Sequence, residues 1–142
     1  MTDRMLRPRS VQVVFEATDV RAEAEFWRRL LGLTYRPGQE PPPNGRPERT
    51  PCDWLDLDDP DGTPRLAFQR NDDLKRTTWP DPTVPQQSHL DLTFASRAEL
   101  DAARERVLAL GGELRFDRSD DPEEPLLVFI DPAGHTFCLL VG

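Results

Sequence analysis

The strand-like stretch His89-Leu90-Asp91-Leu92-Thr93-Phe94 places an imidazole and a carboxylate two residues apart. Side chains alternate along a strand, so His89, Asp91 and Thr93 share one face. An imidazole titrates near neutrality, and a neighbouring carboxylate can hold its tautomer. Three readings of His89 stand side by side: a hydrogen-bonded structural residue, a ligand contact, or a general acid/base. Asp91 and Glu16 are equally readable as solvated or ion-paired carboxylates. The two cysteines, Cys52 and Cys138, are one further source of chemistry, and Trp54 and Trp79 are aromatic surfaces able to stack on a planar ligand. The chain contains no G-x-S-x-G element, no phosphate-binding G-x-x-x-x-G-K-[ST] loop and no paired-cysteine zinc spacing.

The elements that must position these groups come in two series. Val11–Phe15 is apolar and β-branched, as a strand requires. Asp19 is an N-cap for a helix over Val20–Leu31, with Phe26, Trp27, Leu30 and Leu31 at helical spacing and Gly32 at its end. A weak strand at Thr34–Arg36 leads into a proline-rich loop. Strands at Trp54–Leu57 and Arg65–Arg70 then flank an Asp59-Pro60-Asp61-Gly62 turn. The series recurs after a second proline-rich loop. His89–Phe94 is a strand, and Ser96 with Glu99 forms a capping box for a helix ended by Gly111-Gly112. Strands follow at Glu113–Phe116, Leu126–Ile130 and Thr136–Val141, the last two around Asp131-Pro132-Ala133-Gly134. The two Asp-Pro-x-Gly turns lie 72 residues apart, and the first strands align Gln12 with His89. Such self-similarity marks a duplicated βαβββ unit. The expectation is one domain over 1–142: module 1 at about 10–70, a loop at 71–88, and module 2 at about 89–142.

This layout resembles the vicinal oxygen chelate superfamily of glyoxalases, extradiol dioxygenases and bleomycin-resistance proteins. The resemblance rests on the capped helix ending Leu30-Leu31-Gly32-Leu33, on His89-Leu90-Asp91-Leu92, and on the closing Asp131-Pro132-Ala133-Gly134-His135-Thr136-Phe137-Cys138-Leu139-Leu140. The stretch Trp79–Leu92 is similar to the glyoxalase-like branch. The resemblance implies an α+β fold of two βαβββ modules forming a curled mixed-sheet cup with helices outside. It also implies four metal-ligand positions, which fall on Gln12, Leu66, His89 and Cys138. Leucine donates nothing and glutamine offers only a neutral carbonyl, whereas hard divalent ions need charged oxygen or imidazole ligands. A Gln/His/Cys site would be an odd set, so no metal and no other cofactor is expected.

With Gln12 and His89 turned inward, Val14, Glu16, Asp91 and Thr93 turn inward too. Leu66, Phe68, Cys138 and Leu140 are expected on the same side, with Trp54 as a stacking wall. Such an apolar pocket with a few polar groups suits a small molecule. The expected function is therefore small-molecule binding of the glyoxalase/bleomycin-resistance type. The alternative is a lyase, isomerase or dioxygenase using an atypical metal site or His89.

The formal charge of −8 and pI of about 4.7 disfavour nucleic acid and anionic membranes as partners. Two cysteines and the lack of a leader-like apolar stretch lead to a cytoplasmic expectation. A homodimer is expected, with the cup formed either within one chain or across two.

Overall fold

The computed structural model describes residues 5–48 and 51–142. Module 1 contributes β1 (Val13–Ala17), α1 (Val20–Leu31), β2 (Thr34–Tyr35), β3 (Trp54–Asp58) and β4 (Pro64–Arg70). Module 2 contributes β5 (Leu90–Phe94), α2 (Arg97–Ala109), β6 (Glu113–Arg118), β7 (Leu126–Ile130) and β8 (Thr136–Val141). Each module folds into a four-stranded mixed sheet, in the orders β1-β4-β3-β2 and β5-β8-β7-β6. The first strand of each module runs parallel to its last, and the remaining pairs are antiparallel. The fold is α+β, and neither sheet closes on itself. No helix among the described residues is long and apolar enough to cross a membrane.

Local chemistry accounts for the helices. The Asp19 side chain accepts a hydrogen bond from the Ala22 N–H, 3.0 Å, and α1 ends at Gly32 with φ of 68°. The Ser96 Oγ accepts from the Glu99 N–H, 3.1 Å, while Glu99 accepts in return from the Ala95 N–H, 3.0 Å. Both helices lie on the apolar backs of the sheets. Leu55, Leu57, Leu66 and Phe68 of module 1 form one core with Leu127, Phe129, Phe137 and Leu139 of module 2. Helix α1 bridges the two: the Trp27 and Phe26 rings lie 4.9 Å and 5.8 Å from that of Phe137.

The register corrects two of the inward assignments. Leu66 is only 5% exposed and Phe68 is fully buried, both in the core beneath α1. The cause is a one-residue bulge. Asp58 pairs with Pro64 but Leu57 pairs with Leu66, so Arg65 has no partner on β3. In module 2 the corresponding pairs, Ile130–Thr136 and Phe129–Phe137, run without a break. One extra residue reverses the face of everything after it. The opposite side of β4 therefore carries Ala67, itself fully buried, and Gln69, and the position matching Cys138 is Ala67.

A polar contact bolts the modules together inside the core. Asp131 Oδ1 accepts from the Gly134 and His135 N–H groups, at 3.0 Å and 2.8 Å, shaping its own turn. Its Oδ2 accepts from Trp27 Nε1, 3.1 Å, and Glu23 Oε1 accepts from the Ala133 N–H, 3.2 Å. Glu23 is fully buried, and its Oε2 has no hydrogen-bond partner. Burial first, and then the Asp131 carboxylate, push the Glu23 pKa up to about 10. Glu23 is thus a neutral acid in the folded protein at pH 7. Gly134 is required where the inter-module loop crosses this turn: its φ is 99°, and an added Cβ would meet Arg76 atoms at 2.8–2.9 Å.

Two predictions test this account. Unfolded chains ionise Glu23 near its ordinary value of 4.5, whereas the folded protein keeps the proton until about 10. The folded state then binds more protons across that interval, so this contribution is complete below 4.5 and falls as pH rises through 10. Glu23→Gln therefore gains Tm progressively relative to the native protein from pH 5 to pH 9, by on the order of ten degrees or more over that range. A Tm difference constant across that range contradicts a protonated Glu23. Secondly, Leu66→Ala destabilises by about 2–5 kcal/mol in urea titrations, as expected for a core leucine. A loss below about 1 kcal/mol would return Leu66 to the open side.

Candidate functional site

The open face of module 2 is built by strand register. Asp91 on β5 sits directly across from Cys138 on β8, and Thr93 across from Leu140. His89 precedes Asp91 by two residues and shares its face. Its Nε2 lies 3.1 Å from Asp91 Oδ1. On the other side of the ring, Gln86 Nε2 lies 3.1 Å from His89 Nδ1, and Thr136 Oγ1 donates to Gln86 Oε1. A continuous polar chain thus runs Thr136–Gln86–His89–Asp91, with the Cys138 thiol against Asp91. Burial, and secondarily Asp91, push that thiol up to about 11. One ligand atom each from His89, Asp91 and Cys138 lies within 4.8 Å of the others.

The corresponding face of module 1 is occupied by its own side chains. Gln12 Nε2 donates to Asp56 Oδ1, 3.1 Å, and to the Leu66 carbonyl, 3.0 Å. Asp56 also accepts from Gln39 Nε2 and Trp54 Nε1, both 3.0 Å, and pairs with Arg36 at 3.2 Å. The Asp56 N–H donates to Gln39 Oε1, 2.7 Å. Asp56 is only 4% exposed, so every strong donor around it is committed to a buried carboxylate. Ala67 has no donor atom. With Leu66 in the core and Ala67 at its register position, the set expected from the resemblance is corrected to a committed amide, a methyl group, an imidazole and a thiol. That set does not fit a four-ligand centre for a hard divalent ion.

Between the modules lies an open cleft of about 430 Å³. Val14 and Glu16 of β1 line it together with His89, Thr136, Gln86 and Lys75. Glu16 Oε2 accepts from Asn71 Nδ2, 2.7 Å. His135 is half-buried: it stacks on Phe15 with ring centroids 5.3 Å apart, and its Nε2 meets the Glu16 carbonyl at 2.6 Å.

The structure thus brings Val14, Glu16 and His89 to one cleft, with Asp91 and Cys138 following His89 along the same face. It does not bring Trp54 there. Trp54 borders a separate cavity of about 460 Å³ beneath the proline-rich loop, with Cys52 and Arg21. Thr93 opens onto a third groove near Leu30 and Ala103. Leu66 and Phe68 lie in the core, and Gln12 is turned to Asp56. Sequence reasoning missed Asp56, Gln39 and Gln86. Asp56 was visible in principle, because Trp54, Asp56 and Asp58 alternate with Leu55 and Leu57. Gln39 and Gln86 sit in loops, where no periodicity reports direction.

Comparison with known proteins agrees with this geometry. A family model described as "Glyoxalase-like domain" matches residues 12–140. Among solved structures, the fosfomycin resistance protein FosX from Listeria monocytogenes aligns with a TM-score of 0.64 at 19% identity, covering 97% of this chain and 95% of that one. Hypothetical protein SA1046 from S. aureus aligns at 0.62 and 18%, covering 96% and 95%. A glyoxalase/bleomycin resistance protein/dioxygenase from Nocardioides aligns at 0.59 and 23%, covering 98% and 86%. No curated protein matches the chain in sequence. The duplicated βαβββ fold and the match across nearly its whole length make this chain a member of the glyoxalase-like domain family, within the vicinal oxygen chelate superfamily.

Proposed function

We propose that this protein binds a small molecule in the cleft beside His89, without the four-ligand divalent centre. The observation that carries this reading is the pairing of Gln12 with Asp56 opposite an intact, open His89 face. The cleft combines an apolar wall at Val14 with hydrogen-bonding groups at Glu16, Gln86 and His89, the composition of a small-molecule site. Structural neighbours include fosfomycin resistance proteins and bleomycin-resistance-type proteins, so fosfomycin and bleomycin belong in a ligand panel.

The second reading, a lyase, isomerase or dioxygenase, is favoured by the His89–Asp91 contact, which would orient an acid/base imidazole. The dimer proposal is supported by apolar side chains left open on both sheets: Val14 is 42% exposed, and Trp54 and Phe116 are each 43% exposed. The negative charge supports a setting without a nucleic-acid partner.

A thermal-shift screen tests the binding reading. A ligand at a hundred times its Kd stabilises by about 2.7 kcal/mol, a Tm rise of several degrees, and His89→Ala abolishes that rise. A panel without any shift, together with crystals in which side chains fill the cleft, would overturn the proposal. Sedimentation at twice the 16.2 kDa chain mass is expected for the dimer, and a single-chain mass would refute it.

A further inference from the structure

We infer that the ligand of the cleft between the modules is a small amino acid-like zwitterion, its carboxylate received by Lys75 and its ammonium by Glu16. The inference rests on the small-molecule reading and names the ligand class of that cleft. Lys75 is the sole lysine of the chain, and Glu16 is the one carboxylate lining the cleft. Among the described residues, Lys75 has no carboxylate within 4.0 Å and makes no side-chain hydrogen bond. Glu16 uses one oxygen, Oε2, on Asn71 Nδ2 at 2.7 Å, and its Oε1 has no partner among the described residues. The two opposite charges thus border the same space of about 430 Å³ without pairing with each other.

The histidines, Gln86 and Thr136 are matched internally. His89 Nε2 lies on Asp91 and its Nδ1 on Gln86, while Gln86 Oε1 takes the Thr136 hydroxyl. His135 Nε2 meets the Glu16 carbonyl, an acceptor only, so that nitrogen carries the proton. A ligand entering this space therefore finds one cationic and one anionic side chain free to take a new partner. A ligand with a single charge satisfies one of them and faces the like charge of the other. A zwitterion satisfies both. Val14, Leu74, Val84 and Pro85 supply an apolar wall for the rest of the molecule.

The loop that carries Lys75 is fastened on both sides of it. Before it, the Asn71 N–H donates to the Ala17 carbonyl at the end of β1, 3.0 Å. After it, the Arg76 guanidinium donates to the Pro132 carbonyl, 2.8 Å, and the Thr77 N–H to the Gly134 carbonyl, 2.9 Å. Arg76 is thereby spent on the turn of module 2. The Lys75 ammonium is a point charge on a flexible stem, able to follow a carboxylate.

Ligand-observed NMR titration of the full-length chain with matched compounds tests the inference. L-Phenylalanine is compared with 3-phenylpropanoate and phenethylamine, and 6-aminohexanoate with hexanoate and hexylamine, so short and long charge separations are both sampled. At least one zwitterion binds about fivefold or more tighter than both of its single-charge analogues. Lys75→Met abolishes the advantage over the amine and keeps the advantage over the acid. Glu16→Gln does the reverse, and its amide oxygen still accepts from Asn71. A general loss of structure would not produce these opposite patterns. Equal binding within both sets, no binding by any of these compounds, or an advantage that survives both variants would each overturn the inference. The small-molecule reading falls separately, on a silent thermal-shift panel with a filled cleft.

Discussion

A strand that buries every second side chain has its remaining side chains assigned for it. In module 1, Leu55 and Leu57 on β3 and Leu66 and Phe68 on β4 must all reach the core beneath α1. Their burial, worth about 1.5–3 kcal/mol per large apolar side chain, pins the register. The bulge at Arg65 is what lets β4 meet that demand after its turn. Its consequence is chemical: Ala67, rather than a longer side chain, occupies the position that mirrors Cys138. The character of the open face follows from packing on the opposite one.

The two open faces then diverge in how their polar groups are satisfied. A buried carboxylate is tolerated only with donors around it. Asp56 draws Gln12, Gln39, Trp54 and Arg36 into a closed network, which consumes the donors of module 1. Asp91, on the exposed face of module 2, faces no such demand. It leaves His89 and Cys138 grouped at the solvent edge, with Gln86 as a loop contact of His89. The same duplicated unit thus yields one inert face and one face with chemistry available.

The junction between modules is also unequal. The turn of module 2 is held by Asp131, Trp27 and Glu23 inside the core. Its counterpart in module 1 lies at the surface, where Asp59 pairs with Arg65 at 3.3 Å. The inter-module loop is tied to the buried turn as well, through Thr77 N–H to the Gly134 carbonyl, 2.9 Å, and Arg76 to the Pro132 carbonyl, 2.8 Å. That fastening carries Gln86 to His89, so the position of a loop residue at the site depends on a turn in the core.

The sequence by itself determined the element series. Strand alternation, the Asp19 and Ser96 caps, and the paired Asp-Pro-x-Gly turns are local signals, and they located both helices and the duplicated βαβββ order. In module 2, where β7 and β8 pair without a bulge, alternation also placed His89, Asp91 and Cys138 on one face. Only the tertiary structure decided the rest. A bulge is a property of two paired strands, so the face of Leu66 and Phe68 could not be read from β4 alone. Loop side chains have no period, so Gln39 and Gln86 were silent until the fold brought them to Asp56 and His89. The buried hydrogen bonds Trp27–Asp131 and Glu23–Ala133 join residues 104 and 110 positions apart, and nothing short of packing could bring them together.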